Sequence, residues 1–591
     1  MASVPLRFPE TASRLVVRRR TVRADGVDLA VFEQGDPTDQ TILLVHGFPD
    51  THRLWDGVAD RLAETYHVVR YDVRGAGEST APRGRSGYAI DKLAEDLFAV
   101  ADAVSPDGPL HLVAHDWGSI QAWEPVTDPR AAGRIASFTS ISGPSLDHAA
   151  FWLRSKLSKP TPANLAKVVR QAVSSWYIYL HHLPVLPALA WRTVIGPNWA
   201  TLLRRVEGIK PEPGHPAPTM PADAARGVQL YTANMLPRLR KPTERRTDVP
   251  VQIIIPTRDK FVSPDLSDGV ERWVGRVWRR RLVAGHWAPA SHPDAVARMV
   301  DEFVDHIDGR PMTRGLQRAT GADDFTHSLV VITGAGRGIG QATARAFAAR
   351  GAEVVVADLD LAAAKETAAS IGPAAYPYQV DVADEAAMQA FAEAVTEEHG
   401  VPDVVVNNAG IGMAGAFLDT TADEWRRVLD VNLLGVVHGC KVFGALMAEH
   451  GEGGAIVNLA SAAAYTPHRA MSAYAASKAA VLMLSDCVRA ELADHGITVS
   501  AICPGIVATD ITNTTRFAGT DDVEQQRLRQ KATKSYARRG FGPERVAADI
   551  VRAVERGTAV VPVTAEAKIA RLGARFAPGL MRAAARMDVV R

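Results

Sequence analysis

Short apolar runs of strand length alternate with amphipathic segments along most of the chain, and the breaks in that rhythm mark its organisation. Thr41-Ile42-Leu43-Leu44-Val45 is apolar at nearly every position, which predicts a parallel strand covered on both faces. Residues 67–72, 110–115 and 249–255 read the same way, with a helix over 91–104. Residues 12–35 alternate in shorter β-rich pieces around a hairpin signal at Asp25-Gly26. From about 145 to 245 the strands stop. This stretch is rich in Trp, Pro and Leu at helical spacing and predicts a helical cap over the strand ends. A helix near residue 307 closes the first domain, expected at 1–307. Residues 308–326 are polar with Gly and Pro and predict a linker. A second alternation begins at Leu329-Val330-Val331-Ile332-Thr333 and predicts a second domain at 327–591. The expected fold class is therefore α/β, twice over, each domain built on a mostly parallel sheet.

Composition adds limits. A chain of 591 residues exceeds one hydrophobic core, and 47% hydrophobic with 23% charged residues is an ordinary globular balance. A net charge of +1 gives no argument for a nucleic-acid partner. Cys440, Cys487 and Cys503 are far apart and fit neither a disulfide framework nor a metal site, so a reducing, cytoplasmic setting is expected. Arginines near the N-terminus are followed by no apolar stretch of signal-peptide kind. No run reads as long and apolar enough to span a bilayer, so the protein is expected to be soluble or at most peripheral.

The chemistry of the first half starts at residues 110–119, where a strand runs through Ala114-His115-Asp116-Trp117-Gly118 into a helix. A strand that turns into a helix between two small residues is a nucleophile elbow, and here it raises an aspartate where serine is usual. A carboxylate can attack an sp³ carbon and become an ester itself. Downstream, Asp259 at a strand end and His286 before the last helix supply an orienting acid and a base in the order nucleophile, acid, histidine. In His46-Gly47-Phe48-Pro49, the Phe48 N–H can converge with that of Trp117 on one oxyanion. His181-His182 carries no accompanying carboxylate motif and reads as packing or cap surface rather than a metal site.

On these motifs, together with Arg74-Gly75-Ala76-Gly77-Glu78-Ser79 and Gly285-His286-Trp287, residues 20–307 resemble an α/β-hydrolase of the epoxide hydrolase group. The resemblance implies an alkyl-ester intermediate on Asp116, hydrolysed to a vicinal diol by water that His286 activates, with two cap tyrosines holding the epoxide oxygen. Tyr231 matches the second tyrosine. For the first, in Ser175-Trp176-Tyr177-Ile178-Tyr179-Leu180, Tyr179 is preferred over Tyr177 because of the Leu and Pro that follow it. Haloalkane dehalogenases share the aspartate and the following Trp, but usually carry Asn where Phe48 stands.

In the second half, Thr333-Gly334-Ala335-Gly336-Arg337-Gly338-Ile339-Gly340 follows an apolar strand and opens a helix, the arrangement that brings a pyrophosphate to a helix N-terminus. Asp358, about 18 residues beyond Gly340 at the next strand end, suits ribose hydroxyls and argues for NAD. Arg337 argues in the other direction, towards NADP. Tyr474 and Lys478 are i and i+4 and share a helical face, so the ammonium can lower the phenol's pKa. With Ser461 and Asn432 they make a tetrad, and residues 327–565 resemble a short-chain dehydrogenase/reductase. That resemblance implies cofactor contacts from Asp381, Val382, Asn407, Asn408 and Gly410, and at the nicotinamide end from Pro504, Gly505, Val507 and Thr509. Ser461 and Tyr474 would address the substrate oxygen, and Asn432 a water next to Lys478.

The whole resembles an actinobacterial fusion of these two families. It implies a bifunctional enzyme acting on hydrophobic small molecules, an epoxide and an alcohol or ketone, with a lipid substrate plausible. Homo-oligomers through the dehydrogenase domain are implied as well. The alternatives are a haloalkane dehalogenase-type hydrolase fused to the dehydrogenase, or one half serving only as a binding or dimerisation module. Residues 565–588 read as a basic amphipathic helix interrupted at Pro578-Gly579; a helix over the substrate cleft or a subunit contact is preferred to a membrane-surface helix.

Overall fold

The computed structural model describes residues 16–210, 212–321, 325–509 and 511–585, so residues 12–15 of the first β-rich stretch, 322–324 of the expected linker and 586–588 of the tail lie outside the described residues. Contacts divide the chain into two compact units, residues 1–321 and 322–591.

The first unit holds an eight-stranded sheet: β1 (Arg18–Ala24), β2 (Val27–Gln34), β3 (Thr41–Val45), β4 (His67–Tyr71), β5 (Leu110–His115), β6 (Ile135–Ile141), β7 (Val251–Pro256) and β8 (Val277–Leu282). Their spatial order is β1-β2-β4-β3-β5-β6-β7-β8. Only the pairings of β2 with β1 and with β4 are antiparallel. The unbroken apolar run of β3 follows from the pleat. Ile42 and Leu44 face a cluster containing Trp55, Val58 and Val300, while Leu43 and Val45 face one containing Leu97, Val100 and Trp123.

Between β6 and β7 lie the helices Leu146–Ser158, Pro162–Ser174, Trp176–His181, Leu186–Ala190, Trp199–Glu207 and Met220–Arg240. This is the expected cap. Met220–Arg240 anchors it, since Asn234 accepts from the Ile90 N–H and donates to the Tyr88 carbonyl, and Asp223 accepts from the Gly77 N–H.

The 308–326 stretch departs from a plain linker. Thr313 caps a short helix, Arg314–Arg318, whose Leu316 is fully buried with Ala319 against Trp278 and Phe303. The Arg279 N–H donates to the Ala319 carbonyl at 2.7 Å, which ties this segment to β8. Two apolar positions at i and i+3 suffice to pack one helical turn, although the surrounding composition is polar.

The second unit has β9 (Leu329–Thr333), β10 (Glu353–Asp358), β11 (Ala375–Gln379), β12 (Val404–Asn407), β13 (Met413–Ala414), β14 (Gly454–Leu459), β15 (Ile497–Cys503), β16 (Arg516–Phe517) and β17 (Val560–Pro562). Seven form a sheet in the order β11-β10-β9-β12-β14-β15-β17, and β13 pairs with β16 separately. All pairings are parallel, and the order reverses outward from β9, leaving a crevice at the ends of β9 and β12. Contrary to the sequence reading, one continuous helical run among the described residues, Ala422–His450, is by length and composition apolar enough to cross a bilayer. Half of its most apolar window is buried, and Val436, Phe443 and Met447 pack in the sheet's core. The tail forms the helices Ala565–Phe576 and Pro578–Ala584. Glu566 accepts from the Ile506 N–H on one side, whereas Leu572 and Phe576 are exposed on the other.

Leu316→Ala should destabilise the first unit by about 2–4 kcal/mol in urea unfolding. A true linker position would show no change.

Candidate active sites

In the first unit, Asp116 links β5 to the helix Trp117–Val126 with φ 52° and ψ −123°, a left-handed backbone that an aspartate adopts only under constraint. Three glycines make the turn possible. A Cβ on Gly47 would lie 2.4 Å from Asp116 Oδ1, one on Gly118 2.4 Å from the Val45 carbonyl, and one on Gly143 2.3 Å from the Asp116 carbonyl. The carboxylate is thereby held in a buried position, with Oδ1 accepting from the Phe48 N–H at 2.7 Å. Trp117 is buried as the first residue of the helix, so its N–H belongs to the turn that has no partner within the helix.

His286 joins this carboxylate to Asp259. Its Nε2 lies 3.5 Å from Asp116 Oδ2, and its Nδ1–H donates to Asp259 Oδ2 at 2.9 Å. Asp259 Oδ1 accepts from the Phe261 and Val262 N–H groups at 2.7 and 2.9 Å. Burial alone would lower the His286 pKa, but the facing carboxylates of Asp259 and Asp116 outweigh it and raise it to about 10. Burial pushes Asp259 up, yet the His286 charge and the two backbone donors hold it below the usual carboxylate value.

Tyr231 is buried with its ring 4.9 Å from Trp117 and 5.4 Å from Phe48. The first tyrosine is a correction. Tyr179 is 66% exposed and points away from the site, whereas Tyr177 meets Tyr231 nearly at right angles with centroids 6.0 Å apart. Burial raises both phenols above their ordinary pKa, and the Asp116 charge raises them further, which places both near that carboxylate. The helical register explains the choice. Trp176, Tyr179 and Leu180 form one exposed stripe at i, i+3 and i+4, leaving Tyr177 and His181 on the inner face.

His181, expected as packing or cap surface, packs inside the cap with its ring tilted against Tyr231 at a centroid distance of 4.5 Å, and accepts a hydrogen bond from Trp191 Nε1; burial lowers its pKa to about 4. Phe261, which no sequence motif singles out, is an apolar wall 5.0 Å from the His286 ring and 5.4 Å from Tyr177.

In the second unit the glycine turn follows β9. Gly334 and Gly338 have φ of 62° and 58°. Cβ atoms would bring Gly334 to 2.8 Å from the Ala409 backbone, Gly336 to 2.9 Å from Asp358 Oδ2 and Gly340 to 2.2 Å from the Gly334 carbonyl, so the loop must be bare. Ile339 follows in the helix Gly338–Ala348, and Gly338 faces Thr509. Asn408 Nδ2 donates to the Thr333 and Gly334 carbonyls. Asp358 accepts from the Gly336 N–H at 2.9 Å. Arg337 is engaged by Asp360 at 2.5 Å. Asp381 caps its own turn through the Ala383 N–H, and Val382 is buried against Gly435.

One expected cofactor contact turns inward: Asn407 is 2% exposed and its Nδ2 donates to Asn458 Oδ1 at 2.9 Å inside the sheet. As the last residue of β12 it alternates to the core face, and Asn408 takes the cleft side.

The tetrad residues converge. Asn432 is fully buried, donating to the Ile411 carbonyl and accepting from its N–H. A Cβ on Gly410 would lie 3.2 Å from Asn432 Oδ1 and 3.4 Å from Lys478 Nζ. Lys478 Nζ lies 6.0 Å from the Tyr474 ring centre and donates to the Leu459 carbonyl. Ser461 is buried beside the Pro504 carbonyl and hydrogen-bonds Tyr474. Gly505 lies under Thr564 and Glu566, and Val507 is buried. The expected lowering of the phenol is not what this environment produces. Burial raises Tyr474 to about 12 and lowers Lys478 to about 8, because both are withdrawn from water.

Residues 40–165 match the model of the alpha/beta hydrolase fold, and residues 328–518 that of the short chain dehydrogenase family. The chain is 45% identical over 580 residues, 96% of its own length and 98% of the relative's, to "Probable oxidoreductase EphD" of Mycobacterium tuberculosis. It is 42% identical over 183 residues, 31% of its length and 72% of the relative's, to galactitol 2-dehydrogenase of Agrobacterium fabrum. Among solved structures, a short chain dehydrogenase/reductase from Burkholderia phymatum in complex with NAD is 29% identical, covers 46% of this chain and 100% of its own, and has a TM-score of 0.41. With two such sites on one chain and 45% identity to the mycobacterial relative over nearly the full length of both, the chain belongs to the family in which an α/β-hydrolase domain is fused ahead of a short-chain dehydrogenase domain.

Proposed function

We propose that the first unit hydrolyses a hydrophobic epoxide to a vicinal diol and that the second transfers hydride between NAD and an alcohol or ketone. What carries the first half is an elbow carboxylate facing a histidine on one side and two phenols on the other. Asp116 Oδ1 is already hydrogen-bonded to Phe48, so Oδ2 is the oxygen free to attack an epoxide carbon. The carbon–oxygen bond breaks, and Tyr177 and Tyr231 give the departing oxygen a proton. Esterification removes the Asp116 charge, so His286 loses one of the two carboxylates that raise its pKa and returns a proton to the phenolate. The neutral imidazole then takes one proton from water as the water oxygen bonds the ester carbonyl carbon. The N–H groups of Phe48 and Trp117 hold the oxyanion that forms. Collapse cleaves the bond to the alkoxy oxygen, and the second water proton passes to it, restoring carboxylate and imidazolium. The apolar Phe48 ring and the paired tyrosines favour an epoxide oxygen over a halide.

For the second half, the bare glycine turn and Asn408 suit a dinucleotide, with Asp358 at its ribose. The engagement of Arg337 by Asp360 weakens the case for NADP. Bound there, a nicotinamide supplies the hydride acceptor or donor. Tyr474 exchanges a proton with the substrate oxygen that Ser461 orients, and buried Lys478 and Asn432 hold the phenol's surroundings. Met483, exposed on the helix Ser472–Leu492, and Leu434 suit a subunit contact through this domain.

In single-turnover assays with a lipophilic epoxide, Asp116→Ala should lose hydrolysis by at least about 10³-fold. His286→Gln should leave the protein heavier by one substrate in mass spectrometry. Tyr177→Phe or Tyr231→Phe should lower kcat about 10²-fold and Tyr179→Phe should not; the reverse pattern would refute the tyrosine assignment. Tyr474→Phe should abolish NAD-linked turnover and leave epoxide hydrolysis unchanged. The His286 charge rests on two carboxylates, so its ion-pair stabilisation is complete below the ordinary value of 6.5 and is lost as pH rises through about 10. NMR titration of Asp116→Asn should show the imidazole pKa lowered, and an unchanged value would mean that Asp116 does not act on it.

A further inference from the structure

No side chain of the cap helix Pro162–Ser174 is fully buried, and exposed Leu165, Val169 and Val173 recur along it at every fourth position. The exposed apolar surface continues through Trp176 (59% exposed) and Tyr179 (66%) to Leu186 (62%) and Leu189 (53%). Twelve large apolar side chains between Leu157 and Val194 are exposed in this way. A surface of that size is costly in water unless something covers it.

Its charge says what. Residues 148–206 hold eight Lys and Arg and no Asp or Glu, in a chain whose net charge is only +1. Lys156, Lys167 and Arg170 bridge to Asp265 and Asp268, whereas Arg154, Lys159 and Arg192 are exposed beside the apolar residues. The flanking acids turn inward, Asp147 to Arg245 and Glu207 beside Gly285. A second copy of this face would set cation against cation with no carboxylate from the stretch to pair them. Apolar side chains with Trp and Tyr, rimmed by cations, suit a lipid interface with anionic headgroups.

We propose that the exposed cap face, residues 157–194, docks on an anionic lipid bilayer. The helix Trp176–His181 then has two functions. Trp176 and Tyr179 enter the interface, while Tyr177 on the opposite side faces Asp116. Docking thus seats the hydrolase site at the bilayer surface, where apolar substrates concentrate. This last consequence rests on the epoxide hydrolase reading, but the binding itself does not.

Full-length protein should sediment with vesicles of phosphatidylglycerol and phosphatidylcholine and much less with phosphatidylcholine alone, and added salt should weaken the association. The triple variant Val169→Ser, Val173→Ser, Leu186→Ser and the double variant Lys159→Ser, Arg192→Ser should each lose binding by roughly a hundredfold with unchanged Tm. Failure of the wild type to sediment, or variants that bind as tightly, would overturn the proposal. So would binding that survives in the triple variant and is lost in Leu572→Ser, Phe576→Ser, because the docking would then belong to the C-terminal helices. A fall in oligomeric state in the triple variant, with no vesicle binding by either protein, would make this a self-association face instead.

Discussion

The left-handed backbone at Asp116 is the constraint on which the first unit depends. A non-glycine residue at φ 52° costs on the order of 1–3 kcal/mol and persists only where its surroundings hold it. Here the Asp116 N–H donates to the Ile141 carbonyl, and the Gly47, Gly118 and Gly143 backbones approach too closely for any side chain. The strain is stored to aim one carboxylate out of the sheet towards His286 and the cap.

Charge then links the core to the cap. Asp50 accepts from Trp287 Nε1, next to His286, and pairs with His215 from the segment that precedes the long cap helix. His115 Nε2–H donates to the His286 carbonyl. The loop carrying the histidine is therefore held from below by β5 and from above by the cap, so its ring has little freedom between Asp116 and Asp259. Buried carboxylates that face a histidine stabilise its cation, and that balance shifts whenever one of them is neutralised.

The second unit relies on a different device. Its glycine turn is bare because neighbouring backbone occupies the Cβ positions, and the Asn408 amide fastens that turn to β12. Lys478, withdrawn from water, donates to a main-chain carbonyl rather than to a carboxylate, so no partner carboxylate offsets the burial that lowers its pKa beside Tyr474.

Much of this was legible in the residues themselves. Two α/β domains, the elbow at Asp116, the order Asp116–Asp259–His286, the glycine loop and the Tyr474–Lys478 pair all show locally, because strand period, turn chemistry and helical spacing act over a few neighbours. Three matters depended on tertiary structure. Tyr177 rather than Tyr179 faces the site, since the inward side of a short helix is decided by what packs on it, although the stripe of Trp176, Tyr179 and Leu180 carries a hint. Asn407 points into the sheet and Asn408 into the cleft, a parity set by strand register. The polar 308–326 stretch packs through Leu316 because Trp278 and Phe303, distant in sequence, leave a place for one turn of helix. Sequence determined which residues could do chemistry; long-range packing decided which of them face each other.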